Sequence, residues 1–594
     1  VNKNKNAHAE LSKQVLDVLL SLNSERYFNQ RLLSENTGYS LGTINKSLKF
    51  LNEYGYIDED VNLTAKAKNF IKKCKPQRAV ILAAGFGMRM VPINTSFPKA
   101  MLEVKGEVLI ERQIRQLIEA GIKDISVVVG FMKESFDYLV DKYGVNIIYN
   151  NCYSTKNNIY SVNIVSDKLK NCYIVPCDLW CEFNPFNKYE LYSWYMVTDS
   201  ADENSTVRVN RKNELVNHNA DSNGNRMIGI SYLLADEANM LSEKLAALLS
   251  DGRHNESFWE EALLNLDRMY VYARVVPDAQ VKEINTYEQL RELDSDSGHL
   301  KNDAIGVITK TFKCKPNDIK DITVMKKGMT NRSFIFTVNN QKYIMRIPGE
   351  GTDQLINREQ EAAVFRAISK YGFCDDPIYI NPQNGYKITK YLEGARTCNP
   401  ENEDDLKKCM ALLKSFHDSR IRVNHYFDIF GQIDFYESLW NGNPSVFRDY
   451  EETKANVLSL ISIIDSIDKD YCLTHIDAVP DNFLFYKPLD SECELLQLTD
   501  WEYSGMQDPH VDIAMFCIYC LFDKNKCDHV IDVYFDGKCD VKTRGKIYCY
   551  IASCGLLWSN WCEYKRQLGV EFGEYIIRQY RYAKEFYRYA KELL

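Results

Sequence analysis

No run of about 18 consecutive apolar residues occurs in this 594-residue chain, which excludes an ordinary membrane-spanning helix. The opening VNKNKNAHAE lacks the apolar core of a secretory signal, so the protein is expected in the cytosol with no membrane partner. The 18 cysteines are scattered without a pair of CxxC motifs, which argues against a zinc site and a disulfide framework. Internal repeats and low-complexity tracts are also missing. What remains is ordinary globular composition, 45% hydrophobic and 26% charged, spread over a chain too long for one core. Several compact domains are expected. The net charge of -9 is uneven: residues 1 to 75 hold 12 Lys and Arg against 8 Asp and Glu, leaving 61 against 74 for the rest.

Three segments follow from pattern. In residues 1 to 75, helical apolar periods alternate with turn signals, and Leu41, Ile44, Leu48 and Leu51 are expected on one face of a helix beginning near Ser40. With YGYIDEDVNLTAKAK after it, the segment resembles a winged-helix domain. That resemblance implies a DNA reader with Lys46 and Lys49 on phosphates; a docking or regulatory module is the equal alternative. Residues 76 to 298 alternate strands and helices, beginning with a strand over Arg78–Ala83, which implies a parallel, Rossmann-like α/β sheet. DSDSGHLKND has linker composition. Residues 299 to 594 open with a strand pair and continue into an aromatic-rich helical half, the order of a bilobal protein-kinase-like fold. The fold class is thus multidomain, α/β and α+β.

The middle segment carries LAAGFGMRMVPINTSFPKAMLEV. Ala83, Ala84, Gly85 and Gly87 let backbone N–H groups approach a base and triphosphate, and Arg89 and Lys99 supply charge for phosphates. The string resembles the signature of sugar-phosphate and choline-phosphate nucleotidyltransferases. The resemblance makes Arg89 and Lys99 catalytic and implies magnesium on Asp178, in YIVPCDLW. A closing element, VKEINTYEQL, carries Asn285 where that family has a second metal-binding Asp, leaving Asn285 or Glu283 as the other ligand. NNCYSTKNNIYSVNIV resembles a stretch of bacterial phosphocholine cytidylyltransferases, which places Asn157, Asn158, Tyr160 and Ser161 beside CTP or its acceptor. HNESFWEEALL adds Phe258, Trp259, Glu260 and Glu261. A quaternary ammonium donates no hydrogen bond and needs aromatic faces with nearby carboxylates, a demand Trp259 and Glu260 or Glu261 fit; core packing is the alternative.

The C-terminal segment carries LTHIDAVPDNFLFY and then LTDWEYSG. His475, Asp477 and Asn482 have the H-x-D-x-x-x-x-N spacing of a kinase catalytic loop. Asp477 would meet the acceptor hydroxyl, while Asn482 and Asp500 would hold magnesium on ATP. DWEYSG in place of DFG, and KYIMRIPG on the strand expected to carry Lys, resemble choline and aminoglycoside kinases. That likeness implies Arg346 as phosphate clamp with Glu361 as helix partner; Glu359 and Lys342 are the rivals. GMTNRS, with Asn331, would cover the phosphates, and KITKYLEG would be the hinge strand. Glu502, Tyr503, Trp558 and Trp561 would form the choline pocket, the two indoles three residues apart on one helical face.

Together the resemblances identify a fusion of choline kinase with phosphocholine cytidylyltransferase, using choline, ATP and CTP, making CDP-choline for cell-surface phosphocholine. Ethanolamine or another amino alcohol is the nearest alternative. A choline-responsive transcription regulator is the other, and oligomerisation is left open.

Overall fold

The computed structural model describes residues 11–25, 27, 29–93, 97–153, 155–217, 223–250, 252–325, 331–349, 355–374, 376–488, 493–567, 570 and 572–594. The chain divides into two compact units, Val1–Gly306 and Val307–Leu594. Among the described residues, no helix is long and apolar enough to cross a membrane.

The first unit opens with helices α1 (Lys13–Ser24), α2 (Gln30–Thr37), α3 (Leu41–Glu53) and α4 (Ala65–Lys73). Ser40 caps α3 as expected, its hydroxyl accepting the Thr43 N–H at 3.2 Å. Ile44, Leu48 and Leu51 are buried, whereas Leu41 is 43% exposed. Leu41 is the first helical residue and lies beyond the packed face. An isolated antiparallel bridge joins Ile57 to Leu63 between α3 and α4. The helical core is not self-contained. It includes Leu191 of the following segment, with Tyr192 and Leu234 packed against it.

Behind these helices stands a ten-stranded sheet. The strands Asn146–Tyr149, Asp124–Val129, Arg78–Ala83 and Cys172–Pro176 run in that order and are parallel, as the βα alternation predicts. Beyond Cys172–Pro176 the sheet turns mixed: Gly224–Leu233 pairs antiparallel with that strand and with Trp194–Asp202. A fully parallel Rossmann-like sheet is therefore only half realised. Parallel neighbours need crossover helices, and the chain from Trp194 onward runs mostly through strands.

The second unit has a five-stranded antiparallel sheet, Lys320–Val324, Asn331–Val338, Gln341–Pro348, Lys387–Lys390 and Tyr379–Ile380 in spatial order. The helix Arg358–Ile368 accompanies it. The helical remainder is organised around Val541–Gln567, buried from Gly545 to Glu563. It packs on Glu574–Leu593, His510–Tyr519, Tyr450–Asp465 and Ile429–Ser438. Gly555 permits a close approach to Glu574–Leu593, since a Cβ there would lie 2.7 Å from Tyr582 Cβ and 2.8 Å from the Gln579 carbonyl oxygen. A helix buried on every face shows no amphipathic stripe, which is why the tryptophans on it can serve either a core or a cavity.

Candidate active sites

In the first unit, strand Arg78–Ala83 delivers the glycine loop to a cavity of about 480 Å³. Gly87 takes φ +60°, and a Cβ there would meet Lys99 Cβ at 3.2 Å, so this position needs glycine on two counts. Lys99, on a short turn of helix, is buried and points its Nζ at Asp178 Oδ2 (2.5 Å) and Asn285 Oδ1 (2.6 Å). Arg89 Nη2 donates to the same Asn285 oxygen at 3.3 Å. Asn285 comes from 107 residues beyond Asp178, brought there by pairing of Val281–Glu283 with Leu179–Cys181 and by the Ile284 N–H, which donates to the Asp178 carbonyl at 2.9 Å. Asn158 and Ser161, three apart on the helix Asn158–Asn163, also line the cavity.

Glu260, half-buried, lines the same cavity. Tyr195 OH donates to its Oε1 at 3.0 Å, and among the described residues its Oε2 has no hydrogen-bond partner. Burial pushes the carboxyl up to about 7, against the Tyr195 hydrogen bond.

In the second unit one cavity of about 940 Å³ is lined by Asp477, Asn482, Asp500, Arg346, Tyr503, Trp558 and Trp561. Asn482 Nδ2 donates to the Asp477 carbonyl (2.8 Å) and to its Oδ2 (3.1 Å). Burial and the charges of Asp500 and Glu502 push the Asp477 carboxyl up to about 7. The loop before it is strained: Ile476, a β-branched residue, has φ +72°. The buried Asp512 carboxylate holds it there, accepting the N–H of His475 (3.0 Å) and of Ile476 (2.7 Å). His475 is neutral, its pKa lowered to about 4 by burial, and its Nε2 is 2.9 Å from the Thr499 carbonyl.

Arg346 donates from Nη1 and Nη2 to the two oxygens of Glu361 at 2.5 and 2.8 Å. Burial alone would raise the Glu361 carboxyl, but Arg346, Lys387 and Arg358 outweigh it and hold it at about 2. The same cavity carries an aromatic wall. Tyr503 meets Trp558 edge to face at 5.8 Å, Trp558 meets Trp561 at 5.5 Å, and Trp561 meets Phe572 at 5.3 Å.

Residues 322–534 match the choline/ethanolamine kinase family, and residues 79–182 match the MobA-like NTP transferase domain. The choline-phosphate cytidylyltransferase of Streptococcus pneumoniae is 32% identical over 232 residues, 36% of this chain and 96% of that protein. The chain belongs to the choline-phosphate cytidylyltransferase family. It carries a choline/ethanolamine kinase family domain fused behind that part. A 2-aminoethylphosphonate cytidylyltransferase of Lancefieldella rimae is 30% identical over 234 residues, covering 36% of this chain and 91% of its own. Protein LicA of Haemophilus influenzae is 26% identical over 262 residues, 42% of this chain and 96% of that protein.

In the cytidylyltransferase part, the residues expected at the site line one cavity, except Tyr160 and the alternatives Glu261 and Glu283. Tyr160 lies between Asn158 and Ser161 on the helix, off the face those two share, with the Lys156 ammonium 4.6 Å from its ring centroid. The Trp259 ring is 0% exposed in the core, while its neighbour Phe258 is 59% exposed at the cavity. An open Trp259 face is therefore corrected: packing against Tyr195 claims the indole. Glu261 lies 3.5 Å from His254 instead of joining Glu260. Pattern reading missed Phe86 and Tyr153, whose rings sit 5.0 Å apart at the cavity, although Phe86 lies inside the glycine motif itself.

In the kinase family domain, Lys342 is exposed and paired with Glu393 at 2.5 Å, and Glu359 is exposed, leaving the buried pair Arg346 and Glu361. Glu502 lines the cavity but turns to the arginines, 3.2 Å from Arg358 and 3.8 Å from Arg346. It thus shares the expected cavity with Tyr503, Trp558 and Trp561, while its carboxylate is engaged by the arginines. Residues 328–330 of the GMTNRS loop lie outside the described residues, and Asn331 begins the strand that pairs with Gln341–Pro348. The wall also includes Phe572 and Tyr575, which no motif announced.

Proposed function

We propose that this chain makes CDP-choline in two steps, phosphorylating choline with ATP in the second unit and joining the phosphocholine to CTP, with release of pyrophosphate, in the first. The observation that carries the reading is one cavity holding Asp477, Asn482 and Asp500 together with Tyr503, Trp558 and Trp561. A quaternary ammonium seats against indole and phenol faces, and the carboxylate of Asp477 accepts the proton of the hydroxyl as it attacks.

Magnesium fits the residues present at both sites. Burial first, and then the charge of Asp500, raise the Asp477 and Glu502 carboxyls, and a cation beside Asp500 and Asn482 would relieve that repulsion. In the cytidylyltransferase part, Asp178 and Asn285 oxygens converge on one Lys99 nitrogen, so they are also placed to face one cation. When bound, magnesium neutralises phosphate charge at the reacting nucleotide. Arg89 and Lys99 supply the protein's own cations to the triphosphate, and the loop from Ala83 to Gly87 brings backbone N–H groups near it. Glu260, with the exposed Phe258 lining the same cavity, is the candidate seat for the acceptor's ammonium group.

For the N-terminal helices we propose a winged-helix module that docks on the transferase. The shared core with Leu191 supports docking, as does Asp17, whose carboxylate accepts from Tyr192 OH (2.8 Å) and Tyr39 OH (2.6 Å). Asn45, Lys46 and Lys49 remain exposed on α3, the surface on which a DNA-reading role would depend.

The test of substrate class is competition of choline against ethanolamine with the purified chain. Preference for choline at the kinase step supports the aromatic seat; preference for ethanolamine rejects it.

A further inference from the structure

Lys387 is the buried charge in the kinase cavity that no motif explains. It opens the strand Lys387–Lys390 and stands across from Arg346 in the antiparallel register, and both side chains line the cavity. The residue is 6% exposed. Burial penalises an ammonium unless anions or acceptors replace water. Among the described residues, Lys387 Nζ has no hydrogen-bond acceptor: Glu361 Oε1 is 4.0 Å away, and the Phe365 ring centroid is at 4.5 Å.

Its neighbours are differently committed. Arg346 gives Nη1 and Nη2 to Glu361 and a further Nη2 bond to the Gly385 carbonyl at 3.1 Å. Arg358 Nη1 bridges Glu361 at 3.0 Å and Glu502 at 3.2 Å. Three cations thus stand against Glu361 and Glu502 in this cluster; Arg346 Nε is unpaired among the described residues, but Lys387 is the one of the three that makes no side-chain hydrogen bond there at all. A compact ammonium with three donors suits phosphate oxygens, which offer charge and lone pairs from several directions.

We propose that Lys387 is a nucleotide-binding residue of the kinase site, donating to a phosphate oxygen of bound ATP, while Arg346 is a positioning residue that holds Glu361. This rests on the reading that the cavity takes ATP.

The test titrates the full-length chain, with magnesium and without choline, by calorimetry with adenosine, AMP and ADP. Lys387→Gln is expected to bind adenosine within about 2-fold of the parent and ADP about 10- to 100-fold more weakly, the range of one charge-assisted hydrogen bond. Lys387→Arg is expected to recover most of the loss, and the KM for choline should hold steady in both. If Lys387→Gln melts early, Lys387→Met keeps the packing on Phe365 and is judged by the same ratio. Equal loss of adenosine and ADP would assign Lys387 a purely structural role, and unchanged ADP binding would remove it from the site; either overturns the proposal. A parent chain that binds ADP no better than adenosine contradicts the ATP reading itself.

Discussion

Lys99 Nζ lies 2.5 Å from Asp178 Oδ2 and 2.6 Å from Asn285 Oδ1, so a single ammonium gathers the two oxygens proposed to receive a cation. A second carboxylate would strengthen a hard-cation site that here has one carboxylate and one amide. Asn285→Asp should therefore lower the magnesium concentration needed for half-maximal cytidylyl transfer, and Asp178→Asn should raise it. An unchanged magnesium curve in Asn285→Asp would place Asn285 away from the ion.

Glu260 should give cytidylyl transfer a pH dependence of its own. Its carboxyl is raised to about 7 by burial, so it is mostly protonated below that pH and ionised above it. An ionised Glu260 favours a cationic acceptor, hence kcat/KM for phosphocholine should climb with pH through about 7. The substrate phosphate titrates alike against any variant, so the comparison is with Glu260→Gln, which should lose the extra rise. A profile with the same shape in both enzymes would remove Glu260 from ammonium binding.

The aromatic wall predicts a split in kinase kinetics. Trp558→Leu and Trp561→Leu should each raise the KM for choline about 5- to 30-fold, the worth of a desolvated cation–π contact, with little change in the KM for ATP. Equal changes in both constants would make the indoles part of the core alone.

Removing residues 1 to 75 should destabilise the first unit, because Leu191, 1% exposed, and the Tyr192 hydroxyl bonded to Asp17 would lose their cover. Large apolar side chains are worth about 1.5 to 3 kcal/mol each when buried. A truncated chain should melt earlier in its transferase transition. Unaltered melting would mean that the helices dock weakly, and in either case Lys46→Glu with Lys49→Glu is the cleaner probe of DNA contact.

Much of both sites was legible because their chemistry lies in short motifs. The glycine loop, Asp178, Asn285, Asp477, Asn482, Asp500 and the paired tryptophans each sit at a fixed offset from a strand or helix end, and all line the two cavities. The residues that escaped depend on pairings between distant segments. Lys387 gains its meaning only from the register that sets it across from Arg346, and Tyr195 only from a strand 65 residues before Glu260. Sequence position does not show which way a side chain turns: the Glu502 carboxylate faces arginines within its cavity, and the Trp259 indole faces the core. The mixed half of the large sheet was hidden for a similar reason, since short strands without crossover helices leave pairing direction to tertiary contacts.

The central claim is tested most directly by following labelled choline through the full-length chain with ATP, CTP and magnesium, alongside Asp477→Ala and Asp178→Ala. The parent should carry the label to CDP-choline. Asp477→Ala should leave it in choline and recover CDP-choline synthesis when phosphocholine is supplied, and Asp178→Ala should stop at phosphocholine. Label that stays in choline with the parent chain, or variants that each keep their assigned step, would contradict the account.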